Sequence, residues 1–371
     1  MTASSERPNN IRTTPDSPAS RCIVSPRIDA LLLLVPLVAS LAALAFAARV
    51  PDPLPLPLFL LLVVAFDVAH VWTTLYLGYL DREAFARRRA LFVLTPIVAF
   101  VVGMRLHLAS PVLFWTLLAY VAIHHFASQQ WGFVAFYKAK AGERDPTDRH
   151  LDKWTVWTGA LGPVLLWHTS DAAFDWFGHG EAFLVRLDPS LRPDIVIGMA
   201  LVACVWLGRQ AWHLSRGTLV PGKVAWVVAT WLSWSVGLYW SEHQLVALAC
   251  INLLHGIPFL VLVAARMRSR WRDAPEAGAP LGATLARSLP LFYGLVLALA
   301  CGEEWLWEGL VWHSRATPLL GIELGDLARA AVVAALATPQ VTHYYLDAWL
   351  WRMDGSNPDL TEAFGLRRPA S

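Results

Sequence analysis

Long apolar runs alternate with short polar segments along almost the whole chain. Ten runs are extended enough to form spans, at roughly 29–49, 57–80, 90–109, 111–137, 154–170, 194–214, 223–241, 244–265, 285–302 and 327–351. Crossing a hydrocarbon layer takes about 20 mostly apolar residues in a helix. The runs lack the period-two alternation of barrel strands. Backbone inside a bilayer must satisfy its own hydrogen bonds, so the runs are predicted to be helices. The pattern therefore predicts an all-α, polytopic transmembrane helix bundle of about ten spans. Residues 1–27 are polar and aperiodic and read as a disordered cytoplasmic tail. Residues 28–352 form the transmembrane helical domain, and 353–371 a cytoplasmic C-terminal tail. The first tail is too polar for a cleavable signal peptide. The fifth and ninth spans are interrupted at their edges, by Asp171 and Asp175 after one and by Arg287 within the other.

Composition narrows the class further. Of 371 residues, 56% are hydrophobic and only 16% charged, where a soluble domain carries about 25% charged residues. A net charge of +2 offers no basic face for nucleic acid. Cys22, Cys204, Cys250 and Cys301 form no C-x-x-C pair. With the N-terminus placed inside, 24 Lys and Arg fall on the inner side and 6 on the outer. Positive charge stays cytoplasmic, so both termini are expected in the cytoplasm of a cell whose inner (plasma) membrane holds the chain.

Polar side chains then stand out where none are needed for folding. The second span holds Asp67, His70 and Thr74; the fourth His124, His125, Gln129 and Gln130; the eighth Asn252 and His255; the tenth Gln340, His343 and Asp347. A charge at the bilayer centre costs about 2.5–3.5 kcal/mol, so such groups face the bundle interior and mark a site. Asp67/His70/Thr74 and Gln340/His343/Asp347 share the spacing i, i+3, i+7, which keeps each trio within about 60° of its helix. The histidines lie at closely similar depths, with His343 displaced about 6 Å inward. Neutral imidazole is a common ligand for iron, copper and zinc. His70, His124, His125, His255 and His343 are therefore candidate metal ligands. Asp67 and Asp347 are candidate orienting groups or ligands, and Gln129 a candidate for positioning water or substrate. Thr74 and Asn252 taken singly read as helix–helix contacts. His107, His168, His213 and His243 near span ends, and Glu303, Glu304 and Glu308 beyond the ninth span, are expected to be hydrated. The arginine runs 87–89 and 266–272 read as orientation signals, with anionic lipid contact secondary.

At Asp67-x-x-His70, His124-His125-Phe126, His255-Gly256 and His343 the chain resembles the Brp/Blh carotene dioxygenases. The resemblance covers four short motifs. It implies an all-helical fold in which mid-membrane histidines hold a non-haem iron.

Four functions come into question for such residues. The leading expectation is a metal-dependent oxidoreductase, with iron as the divalent transition metal and a lipophilic small molecule entering from the membrane lipids. The alternative is a proton- or metal-coupled transporter. A haem-b carrier would stack its haems at two depths, and a membrane acyltransferase would use only Asn252 and His255. No G-x-G-x-x-G or P-loop supports a nucleotide, and no motif names a redox partner.

Overall fold

The computed structural model describes residues 21–51, 54–170, 186–241, 243–272, 280–313 and 322–366. The described residues are helical throughout, without strands. In chain order the helices are α1 (Pro26–Phe46), α2 (Leu56–Tyr79), α3 (Arg82–Arg87), α4 (Arg89–Ala109), α5 (Pro111–Ala141) and α6 (Pro146–His168). Then come α7 (Arg192–Ser215), α8 (Pro221–Ser235), α9 (Gln244–Arg270), α10 (Leu281–Arg287), α11 (Leu289–Trp307), α12 (Asp326–Leu350) and α13 (Pro358–Ala363). Wider π turns make up much of α2 and extend α8 and α11.

Nine of the ten apolar runs each correspond to one long helix, and the ninth in chain order is divided between α10 and α11. Seven of the helices, α1, α2, α4, α5, α7, α9 and α11, are long and apolar enough to cross a membrane. A helical membrane protein with several passes is the architecture that results. The N-termini follow simple chemistry. Ser25 caps α1 ahead of Pro26, Ser110 caps α5 ahead of Pro111, and Asp145 caps α6 ahead of Pro146; in each the oxygen takes an otherwise orphaned N–H and the proline lacks one to satisfy. Gly142, at φ 72°, ends α5 in the left-handed conformation.

The ninth run is displaced from its expected position. Ser288 turns extended and caps a helix starting at Leu289, so Arg287 ends the separate α10. The span then continues past Glu303, Glu304 and Glu308 as far as Trp312. Glu303 and Glu308 are buried there, while Glu304 is half-buried.

Helix α9 occupies the centre. It is apolar around its circumference and buried along nearly its whole length, as a helix without a polar face must be. α1, α2, α5 and α8 pack against it; α4 pairs with α12, and α6 with α7 and α8. Gly256 sets the closest approach: a Cβ there would lie 2.4 Å from the Phe66 carbonyl oxygen of α2.

The ends are packed too. Of the polar N-terminal tail, residues 1–20 lie outside the described residues, as do Asp171 and Asp175. Residues 21–25 form a strap with Ile23 buried, held by the Asp29 carboxylate, which accepts from the amides of Ile23 (2.7 Å), Val24 (3.0 Å) and Ser25 (3.3 Å). At the other end α13 buries Leu360 and Phe364. Buried Arg266 ties α13 to α9, donating to Asp359 (2.7 Å) and to the Leu350 carbonyl (2.7 Å). Burial acts to raise the Asp359 carboxyl, but the Arg266 guanidinium more than offsets it and holds the group below the usual carboxylate range. A second buried ionic group joins α5, α6 and α8. Asp152 accepts from Lys138 (2.5 Å), Lys223 (3.1 Å) and the Trp206 indole (2.8 Å), and Glu143 pairs with both lysines.

Candidate metal centre

Four helices each supply one buried imidazole: His70 from α2, His125 from α5, His255 from α9 and His343 from α12, none more than 6% exposed. Their rings surround a common point in the order 70, 255, 125, 343. Successive ring centroids are 4.4, 5.1, 4.9 and 4.8 Å apart. His70 and His125 face each other across this ring at 6.5 Å with nearly parallel planes.

The nitrogens sort into two overlapping sets. His70, His125 and His255 each offer a ligand atom within 4.8 Å of the others, and so do His125, His343 and Asp347. The Nε2 atoms of His70 and His255 are 2.9 Å apart. That is an N–H···N hydrogen bond, and it is also close to the separation of two adjacent donors on an ion held at about 2.1 Å.

The carboxylates play different parts by position. Asp67 Oδ1 is 3.7 Å from His70 Nδ1, behind the ring whose Nε2 faces His255. A group there orients the imidazole and fixes its tautomer. Asp347 Oδ2 is 3.6 Å from His343 Nε2, on the side turned inward, where it can act as a ligand. His343 Nδ1 meets the Thr74 hydroxyl at 2.8 Å. Thr74 is thus a contact between α2 and α12 that also sets a ring of the cluster.

Hydrogen-bond bookkeeping tests whether an ion fits. Buried polar atoms are nearly always paired. Here His70 Nδ1, His125 Nε2, His255 Nδ1, His343 Nε2, Asp67 Oδ1 and Asp347 Oδ1 all lack a hydrogen-bond partner, as do both amide atoms of Gln129 and Asn252. Of these, His343 Nε2 faces Asp347, as an open coordination position would leave it, whereas His70 Nδ1 faces Asp67 behind its ring and the Nε2 atoms of His70 and His255 are bonded to each other. Two carboxylates would also balance one divalent charge among neutral imidazoles. The donor set therefore fits a transition metal of the kind that imidazole and carboxylate bind.

The expected fifth ligand is not part of the cluster. His124 is exposed and packs its ring against Trp157 of α6 at 5.3 Å. Consecutive helical residues point about 100° apart, so His124 and His125 cannot both face one centre. Gln129 lies one turn from His125 on the same face of α5, and Asn252 one turn from His255. Gln130 instead accepts from Trp226 Nε1 at 2.9 Å and fastens α5 to α8.

Aromatic side chains close the centre. Phe126 stacks on His255 at 3.8 Å, Tyr344 on His125 at 4.5 Å, and Phe259 meets His70 and His343 edge-on. Each precedes or follows a cluster histidine by one residue or one helical turn, which was the available signal for them.

Several residues expected to be hydrated are buried. Glu303 is 4% exposed and accepts from Trp72 Nε1 (2.8 Å) and Trp307 Nε1 (3.3 Å), which links α11 to the stretch of α2 just past His70. Glu308 is buried one π turn further on. His107, His168 and His213 are buried as well. His168 bonds Tyr120 Oη at 2.8 Å, and His213 bonds Asp148 at 3.1 Å. Side chains that snorkel in a lone helix are covered here by neighbouring helices.

No protein-family model matches the chain, and neither a curated protein nor a solved structure does.

Proposed function

We propose that the chain is a metal-dependent oxidoreductase of the inner membrane, holding a non-haem iron and acting on a lipophilic small molecule. The reading rests on one observation: imidazoles from four separate helices are buried in mutual contact, and with Asp347 they offer two overlapping sets of three ligand atoms, each within 4.8 Å. His70, His125, His255 and His343 would hold the metal, with Asp347 as a further oxygen donor. Iron bound there would supply oxidative chemistry that needs no protein nucleophile. The chain's own residues do the rest. Asp67 and Thr74 orient the rings of His70 and His343 through Nδ1. Phe126, Phe259 and Tyr344 exclude water from the rings, which limits leakage of reactive species. Gln129, with its amide unpaired beside His125, is placed to fix a water or a substrate carbonyl.

The same proposal takes ten membrane spans, adding α6, α8 and α12 to the seven clearest, with both termini cytoplasmic. The 24-to-6 partition of basic residues supports it. Element analysis of detergent-purified protein tests the centre. Near-stoichiometric iron is expected, lost when the four histidines are replaced together. Metal-free protein from a metal-replete preparation, with unchanged folding after that replacement, overturns it.

A transport reading draws on a different observation. Glu303 on one side of the cluster and Asp347 on the other are buried carboxyls at different depths, the kind of spacing a proton relay uses. Flux into proteoliposomes driven by a pH gradient, without turnover of any lipophilic substrate, would favour it.

A further inference from the structure

The basic rim around the end of α9 is divided between paired and unpaired arginines. Arg266 is bound to Asp359 and Leu350, and Arg270 to Asp81 (3.0 Å) and Glu83 (2.5 Å). Arg87 faces Asp359 at 3.8 Å, and Arg88 bonds Asn357 (2.7 Å) and Ser356. These serve the fold, so the run does more than signal orientation. Arg268 and Arg272 are different. Both are exposed, and neither has a hydrogen-bond or ion-pair partner among the described residues.

With Ser269 between them, they line a surface cavity of about 430 Å³ together with apolar Ile23 and Val24 of the N-terminal strap and Phe364 after α13. Pockets of about 300–1,000 Å³ hold small ligands or their headgroups. The place is the C-terminal end of α9, a helix long and apolar enough to cross a membrane, and such ends meet the headgroup region. The C-terminal dipole of α9 contributes only about −0.5 charge, and the Asp29 carboxylate behind Ile23 and Val24 is engaged by three backbone amides, so Arg268 and Arg272 are the charged groups that line the cavity. The lining is part charged and part greasy, as an anionic amphiphile requires.

We propose that this groove is a headgroup site for an anionic phospholipid. Its phosphodiester is held by Arg268 and Arg272, with the Ser269 hydroxyl donating to a phosphate oxygen, and its glycerol and first methylenes lie along Phe364, Ile23 and Val24. Bound lipid clamps together three segments far apart in the chain: the N-terminal strap, the end of α9 and the residues after α13. The site is independent of the metal centre.

The test is thermal unfolding of the delipidated full-length protein in neutral detergent, titrated with phosphatidylglycerol, phosphatidylcholine or inorganic phosphate. Phosphatidylglycerol is expected to raise the transition saturably, and the other two are not. R268Q/R272Q is expected to weaken the apparent affinity about tenfold or more, with R272Q intermediate. Both side chains are exposed and unpaired, so the variants are expected to keep wild-type helicity and metal content. The proposal is overturned by the absence of any phosphatidylglycerol shift or by an equal shift in R268Q/R272Q. It is equally overturned if phosphatidylcholine reproduces the shift, which makes it apolar contact alone, or if inorganic phosphate does, which makes it a simple anion site.

Discussion

Gly256→Ala probes how tightly helix packing sets the cluster. The added Cβ would lie 2.4 Å from the Phe66 carbonyl oxygen, 2.8 Å from its carbon and 3.4 Å from the Asp67 amide nitrogen. All three are backbone atoms of α2 and cannot swing aside. Ordinary contact begins at about 3.5 Å, so α2 and α9 must separate by about 1 Å. His70 rides on α2 and His255 is the residue before Gly256, so the 2.9 Å between their Nε2 atoms opens by a similar amount. Metal sites tolerate only about 0.2 Å in ligand distances. Overpacking of this kind costs about 1–3 kcal/mol. G256A is therefore expected to fold, to melt earlier, and to bind metal at least about tenfold more weakly, a loss typical of displaced ligand support. Element analysis against a metal titration, alongside a thermal melt, reads both effects. Gly132→Ala is the control: on α5, near His125 in sequence, its Cβ would meet nothing within 4 Å. If G256A keeps wild-type metal affinity while G132A does too, the contact between α2 and α9 does not set the ligand spacing.

Other outcomes follow from the same structure. H124A is expected to retain metal and H125A to lose it, by element analysis, because only His125 faces the cluster. D152N leaves the buried ammonium groups of Lys138 and Lys223 short of a counter-charge and is expected to cost about 3–5 kcal/mol, read as a lower melting temperature; an unchanged melt would show that Glu143 alone suffices. W72F removes the indole donor to Glu303 and should destabilise by about 1–3 kcal/mol, with E303Q recovering part of that loss in the double variant. Burial acts to raise the Asp148 carboxyl, but hydrogen bonds from Arg209 and His213 dominate and hold it at about 2. A depressed carboxylate stabilises above its unfolded value of about 3.9 and loses that contribution as pH falls through the folded value. The contacts of Asp148 with α7 are thus expected to hold from neutral pH to about 4 and to fail toward 2, a step that D148N lacks in an acid melt.

Much of the architecture was legible as pattern. Apolar runs long enough to cross a bilayer must be helices, because no other single segment satisfies its own backbone there, and all the expected runs but the ninth correspond to one long helix each. The cluster was legible in outline for a related reason. A histidine or aspartate in the middle of an apolar run has no favourable place except against another polar group, so His70, His125, His255 and His343 identified themselves by where they stood. The helix carrying Glu303 was less legible, because Ser288 began it later than the apolar count suggested and Glu303 and Glu308 came to be buried. Burial of His107, His168 and His213 was invisible for a similar reason: exposure near a span end depends on neighbours that the local sequence does not name.

The sequence by itself determined which segments become long apolar helices and which polar side chains stand out within them, since both follow from local composition. Only the tertiary structure decided who meets whom. It chose His125 over His124 through the 100° step of one helix, placed Asp67 behind a ring and Asp347 in front of another, and paired Arg266 and Arg270 while leaving Arg268 and Arg272 open. Those choices depend on how helices are rotated and how closely they approach, as where Gly256 admits the backbone of α2. Rotation and approach are properties of packed pairs, and no single stretch of chain contains them.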